Sequence, residues 1–199
     1  MKIFGKSLSE YVSFEKGFLI LILVVGFARL GLSLAGVPNA TVKFLSLTVV
    51  LLLGLIYCSV RVHTTGFGSY KQLLPVLALM VILVNLIVVS GILLAMGTGK
   101  DNIFSAPEYS GGGNGKTWGH VAGHLIVMVV GPLILWGIGS LIMLLTKKLT
   151  GGRQPRTARR ASEFDDRAGA RRSQKHQLAA LVLHRAFRAP FVKLERAPG

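Results

Sequence analysis

A single cysteine, Cys58, stands in a chain of 199 residues. An intrachain disulfide is therefore excluded, and so is a cluster of thiolate metal ligands within the chain. Acidic residues are scarce as well, with eight Asp and Glu against 23 Lys and Arg. Residues 1–146 hold only four of these acids. That is too few for the chain of carboxylates that a proton pump or cation pathway places across a membrane. No Ser-His-Asp or Cys-His constellation is legible, so nothing fixes a nucleophilic enzyme activity. The first residues, MKIFGKSLSEYVSFEKG, lack the pattern of a cleaved leader: the apolar core begins late, runs long and has no small-residue cleavage site.

What the chain does have is long apolar runs. Hydrophobic residues make up 51% of it and the mean hydropathy is +0.58. The excess is concentrated in residues 17–36, 42–60, 73–97 and 120–145. Each run reaches the ~19 or more residues that a helix needs to cross ~30 Å of hydrocarbon. Inside a bilayer the backbone has no water to bond, so such runs must be helical. The expected fold class is all-α and integral to the membrane, an antiparallel bundle of four transmembrane helices spanning residues 17–149.

Charge orients these spans, because Lys and Arg flanking a span favour the cytoplasmic side. Lys2, Lys6 and Lys16 precede the first span, Arg61 and Lys71 join the second to the third, and Lys147 and Lys148 follow the fourth. The alternate connections carry only Lys43, Lys100 and Lys116. Both termini are thus expected in the cytoplasm, and the chain is expected in a bacterial inner membrane. Residues 1–16 place Phe4, Leu8, Tyr11 and Val12 at helical spacing, which predicts a segment lying in the interface. Residues 150–199 change character at Gly151-Gly152 and read as a basic, largely disordered cytoplasmic tail, or in part an appended segment. Residues 147–199 carry fourteen Lys and Arg against four acids, net +10 of the total +15. No nucleic-acid-binding fold accompanies this basic run, and nucleic acid is a disfavoured partner.

The sharpest constellation is Gly119-His120-Val121-Ala122-Gly123-His124. His120 and His124 are four apart and share one helix face, a spacing that suits two imidazoles on a zinc or copper ion. Haem is disfavoured, since its axial ligands must approach from opposite faces. Arg29, deep in the first span, needs an anionic group or an outward route to water. Glu108 and Tyr109 from the connection at residues 98–118 are the expected companions of Arg29 and the histidines in one ligand site. Phe104, Pro107, Tyr109 and Trp118 suggest that part of this connection lies back on the membrane surface. Asn85, near the middle of the third span, is expected to hydrogen-bond a neighbouring helix. Gly119-x-x-x-Gly123 is a small-residue spacing that lets helices approach closely, within the bundle or across a dimer. On the other side, Arg61, His63 and Lys71 flank a glycine-containing turn and form a candidate lipid-headgroup cradle.

The resulting expectation is a small polytopic membrane protein acting as a binding or accessory subunit. Its ligand or metal site would lie at the outer ends of spans one and four. The alternatives are a membrane redox or lipid- or quinone-modifying enzyme using the same histidines, and a structural oligomer or pore subunit packed through span four. The expected partners are membrane lipid, a second copy of the chain, or a larger membrane complex.

Overall fold

The computed structural model describes residues 2–110 and 112–150; the basic tail lies outside them. The described part is mostly helical. Helices α1 (Leu8–Leu34), α3 (Leu47–Thr64), α4 (Tyr70–Thr98) and α5 (Trp118–Leu149) follow in order, joined by short connections except for the long one between α4 and α5, and the one-turn helix α2 (Asn39–Val42) leads into α3. Four segments are long and apolar enough to cross a membrane: Leu8–Leu34, Asn39–Thr64, Tyr70–Thr98 and Trp118–Leu149. Their outward surface fits that role. Val24, Phe27, Ile126, Val129 and Leu141 are all exposed, and a soluble monomer does not display so continuous an apolar surface.

The helices start where side chains satisfy their free amides. Ser7 accepts from the Glu10 amide while the Glu10 carboxylate accepts from the Ser7 amide, a complete capping box. Ser46 and Thr117 each accept from the amide three residues on, capping α3 and α5. These caps lengthen the helices beyond the apolar runs. Helix α1 begins nine residues before position 17, so much of the expected interfacial lead-in is continuous with the first span. The remainder is a hairpin of β1 (Lys2–Ile3) and β2 (Lys6–Ser7). Its turn residues Phe4 and Gly5 both have positive φ, 48° and 88°, the conformation that matches strand twist in a two-residue turn. The hairpin folds back on the helices: Tyr11 donates to Ile3 O at 2.8 Å, and Gln72 donates to Phe4 O at 2.9 Å. Phe67, from the connection between α3 and α4, stacks on Phe14 at 4.0 Å and meets the edge of Tyr11.

Helix α4 is the centre of the packing. Half of its most apolar stretch is buried, against 11% in α1 and in α5. It touches α1, α3 and α5, while α3 touches α1 and α5. Glycines mark the closest approaches. Gly26 of α1 lies against Ile87, Gly54 of α3 against Met80, and Gly139 of α5 against Ser59, Leu55 and Leu73. Gly119 and Gly123 face no other helix. Within the chain the α5 glycines that lie against other helices are Gly131 and Gly139, about two and about four and a half turns beyond Gly123.

Candidate functional site

The two ends of the molecule differ. One carries the hairpin and the connection between α3 and α4, and the other carries the long connection between α4 and α5. At this second, loop end, Gly99 closes α4 in the left-handed region (φ 71°) and turns the chain back. Residues 102–106 are all buried. A buried loop must satisfy its own polar groups, and Asn102 does most of that. Its Nδ2 donates to Gly91 O at 2.7 Å, its Oδ1 accepts from the Phe104 amide at 2.9 Å, and its amide donates to Ser105 Oγ at 3.0 Å. The Ile103 amide donates to Ser33 Oγ at 2.8 Å, tying the loop to α1. Phe104 fills the notch left by Gly91, where a Cβ would meet its ring at 2.5 Å. The expectation that Phe104 lies on the membrane surface is thus corrected: the ring is a plug between helices. Trp118, 70% exposed, is free to lie against lipid headgroups.

Arg29 sits over this plug. Its guanidinium lies 5.4 Å from the Phe104 ring centroid and 5.8 Å from that of Tyr109, within range of cation–π attraction. Its Nε is buried with no hydrogen-bond partner among the described residues. Tyr109 is held in place by donation to Asn39 O at 3.3 Å. Arg29 and Tyr109 are therefore brought together, but Glu108 is not: it is exposed and makes no ion pair among the described residues. The nearby acid that does pair is Asp101, with Lys116 at 3.2 Å.

The histidines lie on the other side of α4. Asn85 faces α5, whereas Ile87 and Gly91 face α1 and the plug, so α4 separates Arg29 from His120 and His124. His124 Nδ1 is 2.8 Å from Asn85 Oδ1, and Asn85 Nδ2 donates to Val81 O at 2.9 Å. A backbone carbonyl can only accept, so the amide nitrogen must face Val81 and the amide oxygen must face the imidazole. His124 Nδ1 therefore carries the proton. His120 Nδ1 is 2.9 Å from Gly115 O and is a donor for the same reason. In its neutral form each ring then presents an unprotonated Nε2, and the ring centroids are 5.1 Å apart. A donor at Nδ1 and a lone pair at Nε2 is the arrangement found in metal-binding histidines and in histidines that accept a hydrogen bond from a ligand. No third His, Cys, Asp or Glu joins them in a group able to hold a metal among the described residues.

At the hairpin end the three expected headgroup residues do not converge. Arg61 turns toward α1, donating from one terminal nitrogen to Phe14 O at 3.2 Å and to Tyr57 Oη at 2.8 Å. His63 is two residues on, which puts it on a different face of α3, and Lys71 is exposed at the start of α4. The residue that shares the surroundings of Arg61 is Glu15, which sequence reasoning passed over. It is 1% exposed and neither carboxylate oxygen has a hydrogen-bond partner among the described residues. Its position one turn beyond a capping box was the available signal, since a complete box at Ser7 and Glu10 starts the helix early enough to bury position 15. No family model, curated protein or solved structure matches the chain.

Proposed function

We propose that the chain is a small polytopic membrane protein that acts as a binding or accessory subunit and presents its ligand site at the loop end. Its helices cross as antiparallel spans with both termini cytoplasmic. Support for that orientation is the charge asymmetry: Lys2, Lys6, Lys16, Arg61, Lys71, Lys147 and Lys148 gather at the hairpin end, and only Lys43, Lys100 and Lys116 at the loop end. The same asymmetry fits a bacterial inner membrane.

The observation that carries the reading is the pair of imidazoles on one face of α5, each with Nδ1 engaged and no hydrogen bond to Nε2 among the described residues. Such a pair accepts from a donor ligand, or holds a divalent ion whose remaining positions are filled by water or a partner. Arg29 is a second, separate point at which an anionic group of a partner or lipid would be neutralised. Titration of the detergent-purified chain with zinc chloride and with cupric sulfate tests the metal form. Saturable binding that disappears in the His120→Ala/His124→Ala double variant is expected. Identical titrations for both proteins would remove the histidines from the site.

A structural oligomer is the second reading, favoured by Gly119, Gly123 and Gly137, which face away from the other helices of the chain. This stripe is open to a helix of another molecule. Cross-linking in vesicles that is lost in Gly123→Leu and retained in the histidine double variant would favour it.

A further inference from the structure

Glu15 and Arg61 line one cavity without pairing. The cavity, about 130 Å³, lies between α1 and α3 at the hairpin end and is bounded by Phe14, Glu15, Phe18, Tyr57 and Arg61. No ion pair within 4.0 Å joins the two side chains. A buried carboxyl with both oxygens unpartnered is costly in an apolar surround unless a donor reaches it. Arg61 spends one terminal nitrogen on Phe14 O and Tyr57 Oη; a guanidinium has five N–H donors in all, so others remain.

The cavity also has an apolar approach. Tyr57 and Arg61 are shared with a shallow groove of about 450 Å³ on the outward face of α3, lined by Leu53, Ile56, Val60 and Thr64. Depth is consistent with the headgroup layer. The apolar run of α1 begins at position 17, two residues beyond Glu15, and Arg61 lies three residues from the end of α3 at Thr64. The occupant must therefore offer an anion to Arg61, a cationic donor to Glu15, a short spacer between them, and a hydrocarbon chain for the groove.

We propose that this cavity binds the headgroup of a phospholipid bearing a primary ammonium, with its phosphate on Arg61, its ammonium on Glu15 and one acyl chain along α3. A two-carbon ethanolamine tether separates the two charges, as befits partners that share a cavity without touching. A choline headgroup has no N–H to give the carboxylate. A glycerol headgroup brings no cationic N–H to the Glu15 carboxyl. The site is distinct from the histidine face and does not depend on the function proposed above.

The test is native mass spectrometry of the full chain in detergent, titrated with lipids of identical acyl chains. Phosphatidylethanolamine, its mono- and dimethyl derivatives, phosphatidylcholine and phosphatidylglycerol form the series. Wild-type protein is expected to bind phosphatidylethanolamine roughly tenfold more tightly than phosphatidylcholine or phosphatidylglycerol, the scale of one hydrogen bond to a charged group. Affinity should fall stepwise with N-methylation. Glu15→Gln should abolish the preference, while Arg61→Gln should weaken all the phospholipids. The wild-type series decides the matter even where a variant misfolds. Equal binding across it, or tighter phosphatidylglycerol binding, would overturn the proposal, and so would a folded Glu15→Gln protein that keeps the preference.

Discussion

The hydrogen bond between His124 and Asn85 links α5 to the central helix, and its removal should be measurable in two independent ways. At 2.8 Å, with Asn85 buried and its amide oriented by Val81 O, the contact has the geometry of a fully formed bond. Hydrogen bonds between transmembrane helices contribute about 0.6 kcal/mol on average and up to about 1.7. This one should fall in the upper half of that range, since both partners lie away from water. Asn85→Leu keeps most of the side-chain volume and leaves the His124 Nδ1–H without an acceptor, which should destabilise by roughly 1–3 kcal/mol. His124→Leu removes the other partner. Reversible unfolding in mixed detergent micelles, followed by helical circular dichroism for wild type, both single variants and the double variant, gives the coupling energy. We expect about 1 kcal/mol. Nitrogen-15 spectra of labelled histidine give the second readout: a protonated Nδ1 on His124 in wild type and a mixture of tautomers in Asn85→Leu. A coupling below ~0.3 kcal/mol together with an unchanged tautomer would refute both the bond and the argument that it frees Nε2 for a ligand.

Three further outcomes are expected. Gly139→Leu would drive a side chain into Ser59 Oγ at 2.7 Å and Leu55 at 3.1 Å and should cost more than about 2 kcal/mol of stability or prevent folding. Gly123→Leu, with nothing within 4 Å, should leave monomer unfolding within about 0.5 kcal/mol of wild type; equal effects at both positions would contradict the packing described. Phe104→Ala should destabilise by about 3 kcal/mol and accelerate hydrogen exchange at the Ile103 amide, which unchanged exchange would contradict. Because Cys58 is fully buried, a membrane-impermeant maleimide should report cleanly on introduced cysteines. Glu108→Cys should react in intact cells and Lys71→Cys only after permeabilisation, and the opposite pattern would invert the proposed orientation.

The number and character of the long helices were legible in the chain because they depend on local quantities. Runs of apolar residues have too few polar groups to remain in water, and the backbone within them can bond only to itself. The interhelical role of Asn85 was legible for a similar reason: a lone amide in such a run has little else to bond. Hydropathy marks where lipid begins, however, and not where a helix begins. Ser7 with Glu10, and Thr117 with His120, carry the helices past their apolar limits, and this brings Glu15 inside α1. Only the tertiary structure decided which residues meet. Asn85 and His124 are 39 positions apart, and Ile103 and Ser33 are 70 apart. Such pairings depend on which face each helix turns toward its neighbours, and nearly uniform apolar surfaces carry little record of that. The same holds for Arg29, which lies with Phe104 and Tyr109 and across α4 from the histidines, and for Arg61, which shares its cavity with Glu15 instead of His63 and Lys71. Composition determined that the helices are apolar enough to enter a bilayer, and packing determined which polar side chains they hold against one another.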